Sequence, residues 1–184
     1  ASDVYKRQPF DNVHVRKAVA KAIDRKQITE QVLKDGSIPA SNFIAPTCQK
    51  TDGTHFRELE ADGYPAEEYG IDPRQAKVED AQAELAEAGY PNGFETDFWI
   101  QPVVRASNPN PKRMAELVMA DWAKVGVKAN PVTFEWADYQ KRAKAGELTA
   151  GIFGWSGDNG DPDNFLSPLL ASANAGNSNF ARFK

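Results

Sequence analysis

Apolar residues in the first part of the chain recur at the spacing of an α-helix. Val15, Ala18 and Val19 fall on one helical face, and Asp24 stands where it can cap a second helix. Residues 37–71 then carry prolines and glycines among aromatic residues. This pattern predicts two helices followed by a long irregular connection.

The second half alternates apolar runs with helical patterns. Three predicted strands cover 94–100 (FETDFWI), 127–134 (VKANPVTF) and 148–155 (LTAGIFGW). Predicted helices begin at Asp72–Pro73 and end at Gly89, run from Asn110–Pro111 to Gly126, and cover 136–145. Pro131 makes the second of these strands an edge or a bulged strand. The resulting order β-α-β-α-β predicts parallel strands in an α/β domain.

Charged residues follow the first and the third predicted strands. Arg105 lies in QPVVRASNPNP, and Asp158 lies in SGDNGDPDNF. Ligands of open α/β sheets bind outside the carboxyl ends of the strands, so both side chains are expected at one rim of the sheet. They either pair with each other or receive a charged ligand, and the pattern leaves both readings open.

Composition narrows the class of partner. The chain has 184 residues, a formal net charge of −4 and one cysteine, Cys48. That length suits one domain, and the negative charge argues against nucleic acid or an anionic membrane as main partner. No window reaches the roughly 18 apolar residues of a membrane span. Residues 1–8 show no periodicity, and we interpret them as a non-native leader.

The acidic cluster at 158–163 fits several chemistries poorly. A calcium loop starting at Asp158 would need oxygen ligands at positions held by Gly160 and Pro162. GWSGD lacks the last glycine of a nucleophile elbow, and neither histidine stands at a motif spacing from a carboxylate. Hydrolysis by paired carboxylates stays open. For Asp161 and Asp163 the favoured interpretation is that they bond neighbouring amides and shape the turn.

Four segments in the same order resemble a known family: PFDNVHVRKAVAKAID, DPRQAKVEDAQAELAEAGYPNGF, NPNPKRMAELVMADWAKVGV and GWSGDNGDPDNF. They are similar to the large carboxyl-terminal lobe of the extracytoplasmic solute-binding proteins that serve peptide transporters, above all the dipeptide-binding members. The similarity covers most of residues 9–170.

This resemblance implies a fold and a set of roles. The fold would be an incomplete type II periplasmic-binding-protein-like lobe, with residues 9–184 forming part of the carboxyl-terminal lobe of a two-lobe protein. Arg105 would take the carboxylate of a dipeptide and Asp158 its amino group, while Trp155 would line the side-chain pocket. No catalytic residue, cofactor or metal is implied.

The resemblance also implies partners and a location. The whole protein would be a periplasmic or lipid-anchored monomer that delivers dipeptides to an ABC transporter permease, with a chemoreceptor as a further partner and no nucleic acid. A binder of another solute, such as an oligopeptide, nickel or haem, is the alternative. A carboxylate-dependent hydrolase is a distant third.

Overall fold

The fold is built from residues 9–34, 36–40, 43–44, 48–55 and 76–183, which a computed structural model of the chain describes. The leader interpretation for residues 1–8 and the predicted helix start at Asp72–Pro73 lie outside these residues. Within its described parts, the connection predicted at 37–71 holds no helix or strand, only an antiparallel bridge between Gln49 and His55.

Two helices open the chain where the pattern predicts them. Helix α1 (Val13–Ala22) is capped by the Asn12 side chain, and it buries the apolar face identified from the sequence. Helix α2 (Arg25–Ile28) begins after Asp24, whose carboxylate accepts a backbone N–H at 2.9 Å, and it continues as a π-helical turn at Thr29–Leu33. The predicted cap at Asp24 is therefore confirmed.

Helix α3 (Val78–Glu87) packs along α1. Ala81 and Leu85 of α3 and Ala18 of α1 are all almost completely buried in one apolar cluster. The small side chains of Ala18 and Ala81 let the two helix backbones approach closely, and Leu85 fills the space beside them.

Strands β1 (Glu95–Trp99) and β2 (Lys128–Val132) form a parallel pair, with Glu95 opposite Lys128 and Trp99 opposite Val132. Helix α4 (Pro111–Ala123) connects them, and the Asn110 side chain caps its first turn. Pro131 lies in β2, which pairs only with β1 among the described residues. An edge position suits a residue that cannot donate to a ladder, so this prediction is confirmed.

The prediction that residues 148–155 form a third strand is wrong. The segment makes one parallel bridge between Gly151 and Trp99, and the Trp99 N–H donates to the Ala150 carbonyl at 2.8 Å. Gly151 and Gly154 leave gaps in its row of side chains, which weakens strand pairing. It nevertheless runs parallel to β1 on the side opposite β2, so β1 lies between the two other segments.

The other helices are α5 (Trp136–Ala145), α6 (Asp163–Leu170) and a 3₁₀ turn at Ser172–Asn174. Helix α5 has the predicted bounds, and Gly146 ends it in the left-handed conformation with φ of 85°. No helix in the described part of the chain combines the length and the apolar character needed to cross a bilayer.

The main core lies between the sheet and the helices that cover it. Phe98 of β1 meets Trp122 of α4 edge to face, with ring centroids 5.4 Å apart. The indole N–H of Trp122 donates to the Val19 carbonyl at 3.1 Å, which ties α4 to α1. The predicted α/β class is confirmed, because a small parallel sheet has helices packed on it.

Candidate functional site

Two loops lie at the edge of the sheet where β1 ends, and we call them the rim loops. Residues 101–110 follow β1, and residues 152–162 include the end of segment 148–155, which lies beside β1, and the turn after it. The first rim loop is closed on itself, because Arg105 and Asn108 exchange both backbone hydrogen bonds, at 3.1 and 2.9 Å. Asn108 is 1% exposed, and its amide donates to Gln101 at 3.3 Å. The buried Asn108 thus holds Arg105 at the base of a short turn.

The Arg105 side chain is exposed and lies over an aromatic ring. Its guanidinium carbon is 5.4 Å from the ring centroid of Trp136, a distance suited to a cation–π contact. Trp136 stacks on Tyr139, which is fully buried against further aromatic rings. Because α5 begins at Trp136, its first turn supports the side chain of Arg105 from below.

Burial raises the pKa of Tyr139 to about 12. Its hydroxyl has no hydrogen-bond partner among the described residues. Tyr139 therefore stays neutral at ordinary pH and provides an apolar surface on which Trp136 packs.

The two rim loops touch at Ser107 and Gly154. A β-carbon added at Gly154 would overlap the Ser107 side chain. The loop that carries Arg105 is therefore in van der Waals contact with the segment that leads to Asp158, as expected for one rim.

Trp155 and Asp158 are both organised by one residue of α6, Asn164. The indole N–H of Trp155 donates to the Asn164 carbonyl at 2.7 Å, and the Asp158 N–H donates to the Asn164 side-chain oxygen at 2.9 Å. Trp155 remains 42% exposed, and the Asp158 side chain is exposed as well. The sequence interpretation missed Asn164, although its place in the GDPDNF motif was a signal that could have identified it.

The other two aspartates shape the turn, largely as interpreted from the sequence. Asp161 accepts the Asp163 N–H at 2.8 Å, which closes a small side-chain turn around Pro162. Asp163 itself is the first residue of α6, and its carboxylate accepts the Ser167 hydroxyl and not a neighbouring amide.

Arg105 and Asp158 do not neutralise each other. Within the described residues neither side chain forms an ion pair, and both face outward from adjoining loops. The sequence left open whether these two residues pair with each other or bind a charged ligand. The structure contains no ion pair between them. A guanidinium can donate to a carboxylate and a carboxylate can accept from an ammonium, so both exposed side chains are available to charged groups of opposite sign.

Comparison with known proteins identifies the class. Residues 4–177 match the family model described as bacterial extracellular solute-binding proteins, family 5 Middle. The chain is 64% identical to heme-binding protein A of Haemophilus influenzae over 175 residues, covering 95% of this chain and 29% of that protein. It is 43% identical to the dipeptide-binding protein of Escherichia coli over 169 residues, covering 91% and 28% respectively.

Solved structures of related proteins have a fold similar to that of this chain. HbpA2 from Haemophilus parasuis superposes with a TM-score of 0.79 at 47% identity, covering 94% of this chain and 31% of that one. The dipeptide binding protein of Pseudoalteromonas sp. SM9913, solved in complex with Met-Leu, gives 0.77 at 33% identity, covering 96% and 32%. These neighbours confirm the periplasmic-binding-protein-like fold.

The chain belongs to the bacterial extracellular solute-binding proteins of family 5. It spans about 30% of the length of the relatives it matches, as the coverage of 28–32% shows. The family consists of proteins that bind substrates for transport.

Proposed function

We propose that this chain is part of the carboxyl-terminal lobe, 9–184, of a two-lobe protein that captures dipeptides in its cleft. The observation that carries the proposal is the pair of exposed, opposite charges on touching rim loops. Arg105 holds the ligand carboxylate, Asp158 holds the ligand amino group, and Trp155 contributes an apolar wall for a side chain.

The physical logic is that of a prepared ionic site. A dipeptide zwitterion loses hydration when two lobes close on it, and fixed opposite charges compensate for that loss. Arginine stays protonated and offers a planar fork to a carboxylate, while Asp158 accepts from an ammonium. The cation–π contact between Arg105 and Trp136 limits the side-chain freedom that binding would otherwise remove.

In this proposal the protein binds its ligand and does not catalyse a reaction of it. It works in the periplasm or on a lipid anchor, as a monomer, and delivers the dipeptide to an ABC transporter permease, with a chemoreceptor as a further partner. The family membership and the dipeptide-binding relatives support the extracytoplasmic location and the role in transport.

A second candidate ligand is haem, favoured by the 64% identity to a protein named for heme binding. Haem carries two carboxylates and no ammonium. Arg105 could pair with a propionate, whereas haem offers no ammonium for Asp158 to bind. The two candidates therefore differ in what they require of Asp158.

Titration calorimetry of the full-length protein with Met-Leu and with haemin separates them. If dipeptide is the ligand, Asp158→Asn weakens Met-Leu binding by about 2–5 kcal/mol, the cost of removing one member of a buried charged pair. Glu116→Gln, an exposed change on α4, leaves affinity unchanged. Unaltered Met-Leu binding by Asp158→Asn, or tight binding of haemin alone, contradicts the proposal.

A further inference from the structure

His14 lies between two carboxylates where α1 meets α3. Its Nδ1 is 2.7 Å from Oε2 of Glu84 and 3.6 Å from Oε2 of Glu87. The three donor atoms all lie within 4.8 Å of one another. None of these residues belongs to the rim loops.

The backbone around this cluster holds the donors in place. His14 is the second residue of α1, and its N–H donates to the capping Asn12 side chain at 2.8 Å. Glu84 and Glu87 stand three positions apart on α3, so their side chains share a helix face. Packing of α1 on α3 then sets the separation between the histidine and the two carboxylates.

The two carboxylate oxygens of Glu84 have different partners. Its Oε1 accepts from the Lys21 ammonium at 2.8 Å, which leaves Oε2 for His14. Burial alone would raise the pKa of Glu84, but hydrogen bonds from Lys21 and His14 more than offset it, so the pKa lies below its ordinary value. Glu84 therefore directs Oε2 towards His14, where it can become a metal ligand when its hydrogen bond to Nδ1 is replaced.

We propose that His14, Glu84 and Glu87 form a binding site for Zn²⁺, with Nδ1 and two carboxylate oxygens as ligands and water completing the coordination. Zn²⁺ binds such donors at about 2.0–2.2 Å, which places tetrahedral donors about 3.3–3.6 Å apart. The separation of 3.6 Å between His14 and Glu87 fits this range, whereas the hydrogen-bonded pair at 2.7 Å must move apart and the two carboxylate oxygens, which lie within 4.8 Å, must adjust by side-chain rotation.

The ligand chemistry favours zinc over hard cations. Ca²⁺ and Mg²⁺ take six or more oxygen ligands, whereas an imidazole nitrogen with two carboxylates suits a borderline ion. The ion takes the place of the hydrogen bond between Nδ1 and Oε2, and in the metal-bound form the neutral imidazole carries its single proton on Nε2. Bound there, the ion links α1 to α3. Nearby Lys17 and Lys21 reduce the affinity, which we expect to be micromolar.

Titration of the chelator-treated full-length protein with ZnCl₂ tests the site. We expect one micromolar site whose occupation raises the melting temperature. Glu87→Gln weakens it at least about tenfold, the loss typical of damage to a metal site. Glu87 is 66% exposed in its side chain, so this change spares the fold. His14→Gln keeps a donor to Glu84 but removes the imidazole, and it produces the same loss.

Matched variants exclude other sources of binding. Glu79→Gln, on the exposed first turn of α3, leaves zinc affinity unchanged, and so does Cys48→Ser, which removes the only thiol of this chain. Lys17→Gln removes a nearby positive charge and tightens zinc binding. Mg²⁺ gives no comparable heat. Absence of a micromolar zinc site, or a site that neither Glu87→Gln nor His14→Gln weakens, overturns the proposal.

Discussion

Ser107 and Gly154 lie so close that no side chain fits at position 154 without displacing the serine. These residues belong to the two rim loops, one carrying Arg105 and the other leading to Asp158. The contact therefore limits how closely the two loops that carry these charged residues can approach. Because a dipeptide can separate its termini only over a narrow range, this contact bears directly on the proposed function.

Replacement of Gly154 by alanine tests that contact. The added methyl group overlaps the Ser107 side chain and pushes the rim loops apart, a type of overpacking that costs about 1–3 kcal/mol. We expect weaker dipeptide binding in a titration, together with a lower melting temperature.

The double variant Gly154→Ala with Ser107→Gly supplies the control, since it removes the obstructing side chain. Affinity should recover in the double variant, while Ser107→Gly alone changes it little. If Gly154→Ala binds dipeptide as the original chain does, the contact does not set the spacing of the rim.

Local signals predicted the bounds of several elements. The Asn110 side chain and Pro111 mark the start of α4, and Gly146 marks the end of α5, because caps and left-handed glycines act within a few residues of sequence. Pro131 likewise indicated an edge strand. These features depend on neighbours along the chain, so the sequence shows them directly.

Features that depend on distant contacts were not predictable in this way. Whether 148–155 forms a strand depends on partners across the sheet, and its glycines permit only one bridge to Trp99. The cluster of His14 and Glu84 joins residues 70 positions apart, a distance no local spacing rule covers. At the rim, sequence placed Arg105 and Asp158 on adjoining loops but did not indicate that Trp136 supports the guanidinium.

A second prediction concerns Asn164, which positions the Asp158 loop. Asn164→Ala removes the acceptor of the Asp158 N–H and leaves the carbonyl that holds Trp155. Loss of one such hydrogen bond typically costs about 0.5–1.5 kcal/mol, and we expect a matching loss of dipeptide affinity.

Asn164→Asp keeps a side-chain acceptor and should retain more affinity than the alanine variant. Asp161→Ala, which removes the acceptor of the Asp163 N–H, should lower the melting temperature with a smaller effect on affinity. Equal losses of affinity in Asn164→Ala and Asp161→Ala would indicate that the whole turn, and not the Asp158 position, controls binding.

A third prediction concerns acid stability through Glu84. Its folded-state pKa lies below the ordinary value of 4.5, because hydrogen bonds from Lys21 and His14 outweigh the effect of burial. A depressed pKa means that the unfolded chain binds more protons, so the stabilisation is complete above pH 4.5 and is lost as the pH falls through the folded-state pKa.

Urea unfolding of the original chain and of Glu84→Gln measures this contribution. The difference in unfolding free energy between them should be constant at neutral pH and should shrink as the solution is acidified below pH 4.5. Glu79→Gln, on the exposed first turn of α3, serves as the matched control. A difference that does not vary with pH would mean that folding does not lower the pKa of Glu84.

The last prediction concerns ligand length. An extended peptide grows by about 3.3–3.6 Å per residue, more than the length of a hydrogen bond, so a third residue moves one terminus out of reach when the other is held. If Arg105 and Asp158 hold the two ends, dipeptides with different side chains should bind with similar affinity in calorimetry of the full-length protein. Free amino acids cannot span both anchors, and an acetylated amino group or an amidated carboxylate leaves one anchor unpaired. Tight binding of a tripeptide or of a blocked dipeptide would show that at least one of these two residues does not hold a terminus.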